Sequence, residues 1–557
     1  MTIDENSRKY PKPNSRGRDM QSQSGSCLFT RSMQKAKHLL ALTTGMALLA
    51  PALASGQEYD VLIRGGTVYD GSDSPAHAAD VAIKGDRIVQ VGNIPTGAKA
   101  ALTIDAKGKI VSPGFIDPHS HSAQGLETAE LAAALPQLYQ GVTTVMTNPD
   151  GGGPSDLTEQ LTKTRGFVPG VNVAPMIGHN AVRKAVLGDA DAQPTPQQQQ
   201  AMEMLVKKAM DEGAFGFSSG LEYIPGKFSH TPEIIGMAKV AARYPHAFYT
   251  SHMREEGVDV LKSVAELVEI SREAKITAVA THYKALGKIA WGSSKAMIAA
   301  IDKARSEGLP VWADQYPYEA NSSSAQGMFV PGWAQAGGSA ELVKRLGDPA
   351  LRARIRTETA QKIIDYGGPD RVKISRYDAD PSLKGMMLDQ IAKAKGVEWI
   401  DALLSILENG GAGVVIFSLN PDDVEAIMKQ QWTMTGSDGS LVAFGSDAGH
   451  PRAYGTFPRK IRNYVLDKPV ISMQQAIHAA TGLPAQVFGF TDRGLLKSGY
   501  IADVIVFDPT TIRDRATFDN SHAYSEGMVY VFVNGEAAVA DGKATAERHG
   551  RVLTRYK

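Results

Sequence analysis

Cysteine is almost absent from the 557-residue sequence, because Cys27 is its single thiol. A disulfide bond within one chain is therefore excluded, and the chain beyond residue 54 has no thiolate with which to bind a metal ion. Motifs that cradle nucleotide phosphates are also missing, since there is neither a GxxxxGK[ST] segment nor a GxGxxG segment after a predicted strand. Sites built on a disulfide, a catalytic thiol or a phosphate-binding loop are thus ruled out for the main part of the chain.

An excess of charge of one sign is lacking as well. Lys and Arg number 59, and Asp and Glu also number 59. Residues 1–54 hold eight of the basic and three of the acidic side chains, which leaves 51 basic against 56 acidic residues in the remainder. Such a mildly acidic chain offers no basic surface for nucleic acid or anionic lipid, so we expect a small-molecule substrate and no nucleic-acid partner.

The amino-terminal region has the three-part layout of a secretory signal. Lys35 and Lys37 precede the apolar run 39–50, and the small-x-small segment 52–54 follows it. The run is too short to cross a bilayer of roughly 30 Å as a stable helix. We therefore predict that residues 1–54 are an amino-terminal extension and signal peptide, with Met33 as an alternative start. The mature chain is then periplasmic or secreted and not inserted in a membrane; an uncleaved tether is the alternative.

Strand patterns at both ends of the chain enclose a long alternating middle. Apolar runs between Gly and Asp turns predict one small β-sandwich domain formed by residues 55–112 and 491–557. In residues 113–490, strand-like runs alternate with amphipathic helices, which predicts an α/β fold with a distorted (β/α)8 barrel. Residues of about 321–376 break the alternation, and we predict an inserted lobe over the barrel mouth.

Four histidines stand at predicted strand ends. His119 and His121 are two residues apart, so their side chains point to one face of a strand and can reach one ion. His252 and His282 are separated by about one βα repeat, which predicts that they end neighbouring strands. Any one of them alone is equally compatible with a surface or core histidine. Four at strand ends together favour a metal site.

A late aspartate completes this set. Asp438 lies in a Gly-Ser-Asp-Gly turn after a predicted strand, where a carboxylate can touch a metal and accept a proton from water. Asp447 lies in a similar Gly-Ser-Asp-Ala-Gly turn and is the competing candidate. We prefer Asp438 and interpret Asp447 as a turn or supporting residue.

Several longer segments resemble those of one protein family. With the His-x-His motif they cover about residues 59–552, and the chain resembles the N-acyl-D-amino-acid deacylases (D-aminoacylases) of the amidohydrolase superfamily. The segments are Gly213–Gly226 (GAFGFSSGLEYIPG), Ser251–Glu256 (SHMREE), Thr281–Lys284 (THYK), Asp314–Tyr318 (DQYPY) and His450–Arg459 (HPRAYGTFPR). The resemblance implies zinc-dependent cleavage of an N-acyl group from a D-amino acid.

The resemblance also implies roles for individual residues. His252 and His282 match the ligands of a tightly bound zinc ion, and His119 and His121 match a weaker second site. Asp438 matches the shared ligand and general base, which takes a proton from the attacking water and returns it to the leaving amine. The residues that match the substrate-binding set of the family are Tyr223, Lys284, Tyr316 and Arg452. Arginine and lysine side chains suit a free α-carboxylate.

One position departs from the family pattern. The family usually carries a cysteine in an Asn-Cys-Gly turn after the second barrel strand, whereas this chain has Asn148-Pro149-Asp150-Gly151. Asp150 is the substitute ligand that the sequence offers, and a carboxylate is a harder donor than a thiolate. The alternative is that Asp150 only shapes the turn before Gly152 and Gly153.

The sequence leaves other functions open. A related amidohydrolase acting on a dipeptide, a cyclic amide or a xenobiotic amide fits the same ligand set. A periplasmic binding protein on a decayed enzyme scaffold is a further alternative, which the missing cysteine favours and the retained histidines and Asp438 oppose.

Overall fold

The structure, a computed structural model, describes residues 58–446 and 449–555. The predicted signal peptide and Cys27 lie outside these residues, and so does Asp447. None of the helices in the described part of the chain combines the length and apolarity needed to cross a membrane.

The described residues form 22 strands. In chain order they are β1 (Tyr59–Val68), β2 (His77–Lys84), β3 (Arg87–Gly92), β4 (Ala100–Asp105), β5 (Ile110–Pro113), β6 (Phe115–His121), β7 (Val142–Thr147), β8 (Asn172–Pro175), β9 (Ile177–Gly178), β10 (Phe217–Gly220), β11 (Phe248–His252), β12 (Thr277–Ala280), β13 (Val311–Gln315), β14 (Asn321–Ser324), β15 (Val372–Arg376), β16 (Gly413–Ile416), β17 (Thr433–Thr435), β18 (Gly439–Ser440), β19 (Val504–Phe507), β20 (Met528–Val533), β21 (Glu536–Ala540) and β22 (Lys543–Ala544).

The helices lie mainly between the middle strands. They are α1 (Ala123–Leu126), α2 (Leu135–Leu138), α3 (Leu157–Phe167), α4 (His179–Leu187), α5 (Pro196–Asp211), α6 (Thr231–Ala241), α7 (Val260–Ala274), α8 (Ser294–Ser306), α9 (Ala325–Phe329), α10 (Gly332–Gln335), α11 (Ser339–Gly347), α12 (Pro349–Tyr366), α13 (Leu388–Lys395), α14 (Trp399–Glu408), α15 (Pro421–Met428), α16 (Arg452–Ile461), α17 (Met473–His478) and α18 (Gly482–Phe488). Helix α5 begins with the capping box that its sequence predicts, because Thr195 and Gln198 exchange hydrogen bonds.

Both ends of the described chain contribute to one nine-stranded sheet. Strands β1 to β5 pair with one another, and β19 pairs antiparallel with β5 and so joins β19 to β22 to the same sheet. One apolar core holds side chains from both halves, including Ile63 and Val81 from the amino-terminal half and Val504 and Phe532 from the carboxyl-terminal half. Burying these side chains requires both ends of the sequence, which explains why the β-domain is split.

Eight parallel strands form a ring: β6, β7, β8, β10, β11, β12, β13 and β17. They belong to two hydrogen-bonded sheets, β18-β6-β7-β8 and β17-β13-β12-β11-β10-β9. The sheets meet where β8 continues into β9 and where β17 is followed by β18, so the chain itself crosses both seams. The predicted fold class, a distorted (β/α)8 barrel with an added β-domain, is confirmed.

The region that breaks the βα alternation is longer than the sequence predicted. Strands β14 and β15 pair antiparallel with β16, which forms the centre of a separate three-stranded sheet. The lobe therefore extends to Ile416, beyond the predicted boundary at residue 376. The sequence signal failed here because α11 to α14 have ordinary helical periodicity, which by itself does not distinguish an insertion from the barrel.

Candidate metal centre and active site

The predicted metal-binding residues meet at one end of the barrel. His119 and His121 end β6, and His252 ends β11. Asp150 follows β7, and His282 and Asp438 follow β12 and β17. The carboxyl ends of parallel barrel strands face one cavity, so residues far apart in sequence converge there.

The first group of side chains consists of His119, His121, Asp150 and Asp438. Asp150 Oδ2 lies 3.3 Å from Nε2 of both His119 and His121. Asp438 Oδ1 lies 3.4 Å from His119 Nε2 and 3.2 Å from His121 Nε2. Two imidazoles and two carboxylates thus converge on one small volume.

The second group shares Asp150 with the first. His252 Nδ1 and His282 Nε2 lie 2.8 Å apart. The same Asp150 Oδ2 lies 3.9 Å from His252 Nδ1 and 3.7 Å from His282 Nε2. A single carboxylate oxygen therefore faces all four histidines, a position that suits a ligand common to two metal ions.

The donor set fits a divalent metal such as zinc. Both ring nitrogens of His119 are buried, and no hydrogen-bond partner for either lies within the described residues. Orphaned buried nitrogens are costly unless something else satisfies them. Imidazole nitrogens and carboxylate oxygens are ordinary zinc ligands, and they bind in the deprotonated form.

Three further carboxylates hold the histidines in place. Glu222 Oε2 accepts a hydrogen bond at 3.0 Å from His252 Nε2, and Glu256 Oε1 lies 3.1 Å from His282 Nδ1. Asp314 Oδ1 accepts the backbone N–H of His282 at 2.7 Å. The two ring contacts use the nitrogen that is not the one nearest Asp150, so they fix how each ring is presented, and Asp314 holds the backbone of His282.

Sequence patterns alone assign no role to these three acids. Glu222 and Glu256 lie in the family-like segments beside Tyr223 and His252, and Asp314 begins the segment that contains Tyr316. The sequence signal that could have identified them is an acidic residue within four positions of a predicted site residue. Their pairing with particular ring nitrogens depends on contacts between different strands, which no local pattern reveals.

Three residues of this cluster have a strained backbone. Asp150, His282 and Asp438 have φ values of 53°, 37° and 51°, in the left-handed region that residues other than glycine seldom adopt. Each such residue costs about 1–3 kcal/mol and persists where its surroundings enforce it. Three strained residues among six converging side chains indicate a site shaped for chemistry rather than for stability.

The four predicted substrate-binding residues line one cavity of about 420 Å³ beside the cluster. The Tyr223 hydroxyl lies 3.0 Å from Ser323 Oγ, and Arg452 Nη1 lies 2.6 Å from Asp438 Oδ2. No hydrogen-bond partner for the buried Tyr316 hydroxyl occurs among the residues described. Lys284 Nζ lies 2.5 Å from Glu256 Oε2. The cavity therefore presents cationic and hydroxyl donors next to the cluster.

Electrostatics keep Asp438 ionised and His450 neutral. Burial by itself raises the pKa of Asp438, but the Arg452 guanidinium and the nearby histidines lower it well below its usual range. Burial lowers the pKa of His450 far below its ordinary value, and the charge of Arg452 adds to this. As a neutral ring, His450 accepts the backbone N–H of Arg452 at 3.1 Å and so positions the start of α16.

Comparisons with known proteins identify the family of this chain. The model of the amidohydrolase family matches residues 102–539. An N-acyl-D-glutamate deacylase of Alcaligenes xylosoxydans xylosoxydans is 33% identical over 90% of this chain and 97% of its own length.

Two solved structures are similar throughout. An N-acyl-D-glutamate deacylase from Bordetella bronchiseptica, complexed with zinc and a phosphonate that mimics the tetrahedral intermediate, is 32% identical over 89% of this chain and 99% of its own, with a TM-score of 0.77. A D-aminoacylase with a binuclear metal centre, described as activated by one metal and attenuated by the second, is also 32% identical, over 89% of this chain and all of its own, with a TM-score of 0.76. The chain therefore belongs to the amidohydrolase family.

Proposed function

We propose that the protein is a zinc-dependent hydrolase that releases D-amino acids from N-acyl-D-amino acids. The observation that carries the proposal is the pair of histidine groups joined by Asp150, which lies directly beside the Arg452, Lys284 and Tyr316 cavity. The histidine groups with Asp150 are suited to metal-dependent amide hydrolysis, and the cavity is suited to binding an α-carboxylate. The activities named for the similar proteins support this substrate class.

The proposed ligands are the six converging side chains, with Asp150 and Asp438 each close to more than one histidine. They are His119, His121, Asp150, His252, His282 and Asp438. When bound, zinc activates the amide carbonyl and the attacking water as a Lewis acid. Asp150 takes the position of the thiolate that the family usually carries.

The protein side chains then have distinct tasks. Arg452 and Lys284 bind the α-carboxylate of the substrate, and Tyr316 adds a hydroxyl donor. Asp438 accepts a proton from the attacking water and donates it to the amine as the carbon–nitrogen bond breaks, which yields a carboxylate and a free D-amino acid. Tyr223 donates a hydrogen bond to the oxygen that becomes negative in the transition state.

A panel of N-acetyl amino acids in both enantiomers tests the substrate class. We expect release of D-amino acids, loss of this activity after treatment with a chelator, and its recovery on adding zinc. If no D-isomer is cleaved after zinc is restored, the substrate assignment is wrong. Cleavage of an L-isomer in the panel would leave the hydrolase assignment intact.

Metal analysis of purified protein tests the role of Asp150. We expect Asp150→Ala to lose stoichiometric zinc, because one oxygen that faces four histidines is removed. Asp259→Ala is the matched control, since Asp259 is a surface aspartate that pairs with Lys262. Equal zinc content in wild type and Asp150→Ala would show that Asp150 is not a ligand and only shapes the turn.

We also propose that the protein is exported and acts in the periplasm or outside the cell. The support is in the sequence, where Lys35 and Lys37 precede an apolar run that ends near a small-x-small site. Cell fractionation, with the amino terminus of the mature chain sequenced, tests this. We expect a chain that begins near residue 55 in the periplasmic or extracellular fraction.

A further inference from the structure

A second groove adjoins the cavity beside the metal cluster, and His121 lines both. This acyl groove has a volume of about 570 Å³, and its lining includes Gln124, Glu127, Lys163, Ser440, Leu441 and Val442. Four residues line both cavities: His121, Pro149, Gly152 and Ser440. The two cavities therefore adjoin at these four residues, directly beside the cluster.

The direction in which a substrate lies follows from where its carboxylate is held. Lys284, Tyr316 and Arg452 line the first cavity and are not among the residues of the acyl groove. If these groups bind the α-carboxylate, as the proposed function requires, the amine half lies on their side of the cluster. The acyl half of the bound substrate then extends past His121 into the acyl groove. An acetyl methyl group would fill only a small part of it.

The charges in the acyl groove favour a cation. Asp156 Oδ1 lies 2.9 Å from Lys208 Nζ, and Glu159 Oε1 lies 2.7 Å from Lys163 Nζ, so both acids have a nearby basic partner. Glu127 forms no ion pair within 4.0 Å in residues 58–446 and 449–555, although its charge also acts on Lys163. The lining of the groove thus holds three acids, Glu127, Asp156 and Glu159, against one lysine.

The Glu127 side chain is also held in position. Its Oε1 accepts a hydrogen bond at 3.0 Å from Gln160 Nε2, and Gln160 Oε1 accepts one at 2.7 Å from Asn148 Nδ2. Gln160 and Asn148 are both buried. An oriented carboxylate with one oxygen committed to an amide is suited to receive an ammonium group from the substrate.

From these observations we infer that the acyl groove binds an acyl group longer than acetyl that carries an ammonium, as the free amino terminus of a short peptide or a lysyl side chain does. The preferred substrate is then a short peptide that ends in a D-residue. This inference rests on the proposed function and narrows it. A fatty acyl group would place methylene groups against the charged side chains of Glu127, Glu159 and Lys163, and an acyl group ending in a carboxylate would be repelled by Glu127.

Matched substrates that differ in one group test the inference. L-Alanyl and propionyl derivatives of the same D-amino acid differ in one ammonium close to the scissile bond. The 6-aminohexanoyl and heptanoyl derivatives differ in the same way at longer reach. At pH 7 we expect wild-type kcat/KM to favour the ammonium member of at least one pair about ten-fold.

Two variants assign this preference to the groove. Glu127→Gln should lower the ammonium preference to near unity. Glu130→Gln, an exposed glutamate of the same segment that does not line the groove, should keep the wild-type ratio. No ammonium preference in either pair, or a preference that Glu127→Gln leaves unchanged, overturns the inference while the deacylase function stands. No release from any of the four substrates, while the N-acetyl derivative of the same D-amino acid is cleaved, overturns the inference alone. No release from the N-acetyl derivative either overturns both.

Discussion

Replacing Gly220 by alanine tests whether the position of Asp150 controls the site. Gly220 ends β10, and its φ lies outside the positive region, so its backbone conformation permits an alanine. A Cβ built there would lie 2.3 Å from the carbonyl oxygen of Asp150 and 3.0 Å from its carbonyl carbon. The Tyr223 ring would lie 3.3 Å away. The added methyl group therefore presses on two residues of the proposed active site.

The size of the effect follows from these distances. Ordinary contacts of a Cβ begin near 3.4 Å, so the Asp150 loop must retreat by about 1 Å. A displacement of about 1 Å in a catalytic site lowers the rate by about 100-fold. Overpacking also costs about 1–3 kcal/mol of folding free energy, which a domain with this extent of core can tolerate. We expect a folded Gly220→Ala protein with kcat about 100-fold lower and reduced zinc content.

Three measurements and one control make this prediction decisive. Bound zinc, kcat and the thermal melting curve are compared between wild type and variant. Gly166→Ala is the control, because Gly166 is an exposed residue of α3. Apart from its chain neighbours and the backbone of its own helix, no atom of the described residues lies within 4 Å of the position that the added methyl group would take. It should keep full activity and gain slightly in stability. Wild-type kcat and zinc content in folded Gly220→Ala would refute the reasoning.

Three further changes test other parts of the site and core. Glu222→Gln should weaken zinc binding about 10- to 100-fold in a competition titration, because the charged partner of His252 is lost; unchanged affinity would contradict this. Asp438→Asn should lower kcat about 100- to 10,000-fold while the fold is kept, and unchanged turnover would require a different base. Burial lowers the pKa of Lys460 to about 7 in the folded state, whereas the unfolded chain keeps this proton up to about pH 10. The wild type therefore gains stability as pH rises from 7 to 10. We expect Lys460→Met to have a higher Tm than the wild type at pH 7, and this difference in Tm should become smaller toward pH 10. A difference in Tm that does not depend on pH would contradict the shifted pKa.

The sequence by itself determined the fold class and the family. Alternation of strands and helices predicted the barrel, and the strand patterns at both ends predicted a shared β-domain, because hydrophobic periodicity directly reflects which face of an element is buried. The four histidines and Asp438 could be predicted as ligands because residues of these types at strand ends form a local motif, and the structure brings their side chains together. The sequence also showed that Asp150 stands where the family usually has a cysteine, because a short segment is enough to compare this position with the family pattern.

Only the tertiary structure decided how these residues act together. It brought one oxygen of Asp150 within 4 Å of four histidines, paired Arg452 with Asp438, and placed Glu222 and Glu256 behind His252 and His282. These contacts join residues from different strands, and their distances depend on how the barrel closes. The extent of the lobe and the groove beyond His121 likewise arise from packing between distant segments, which local sequence patterns do not encode.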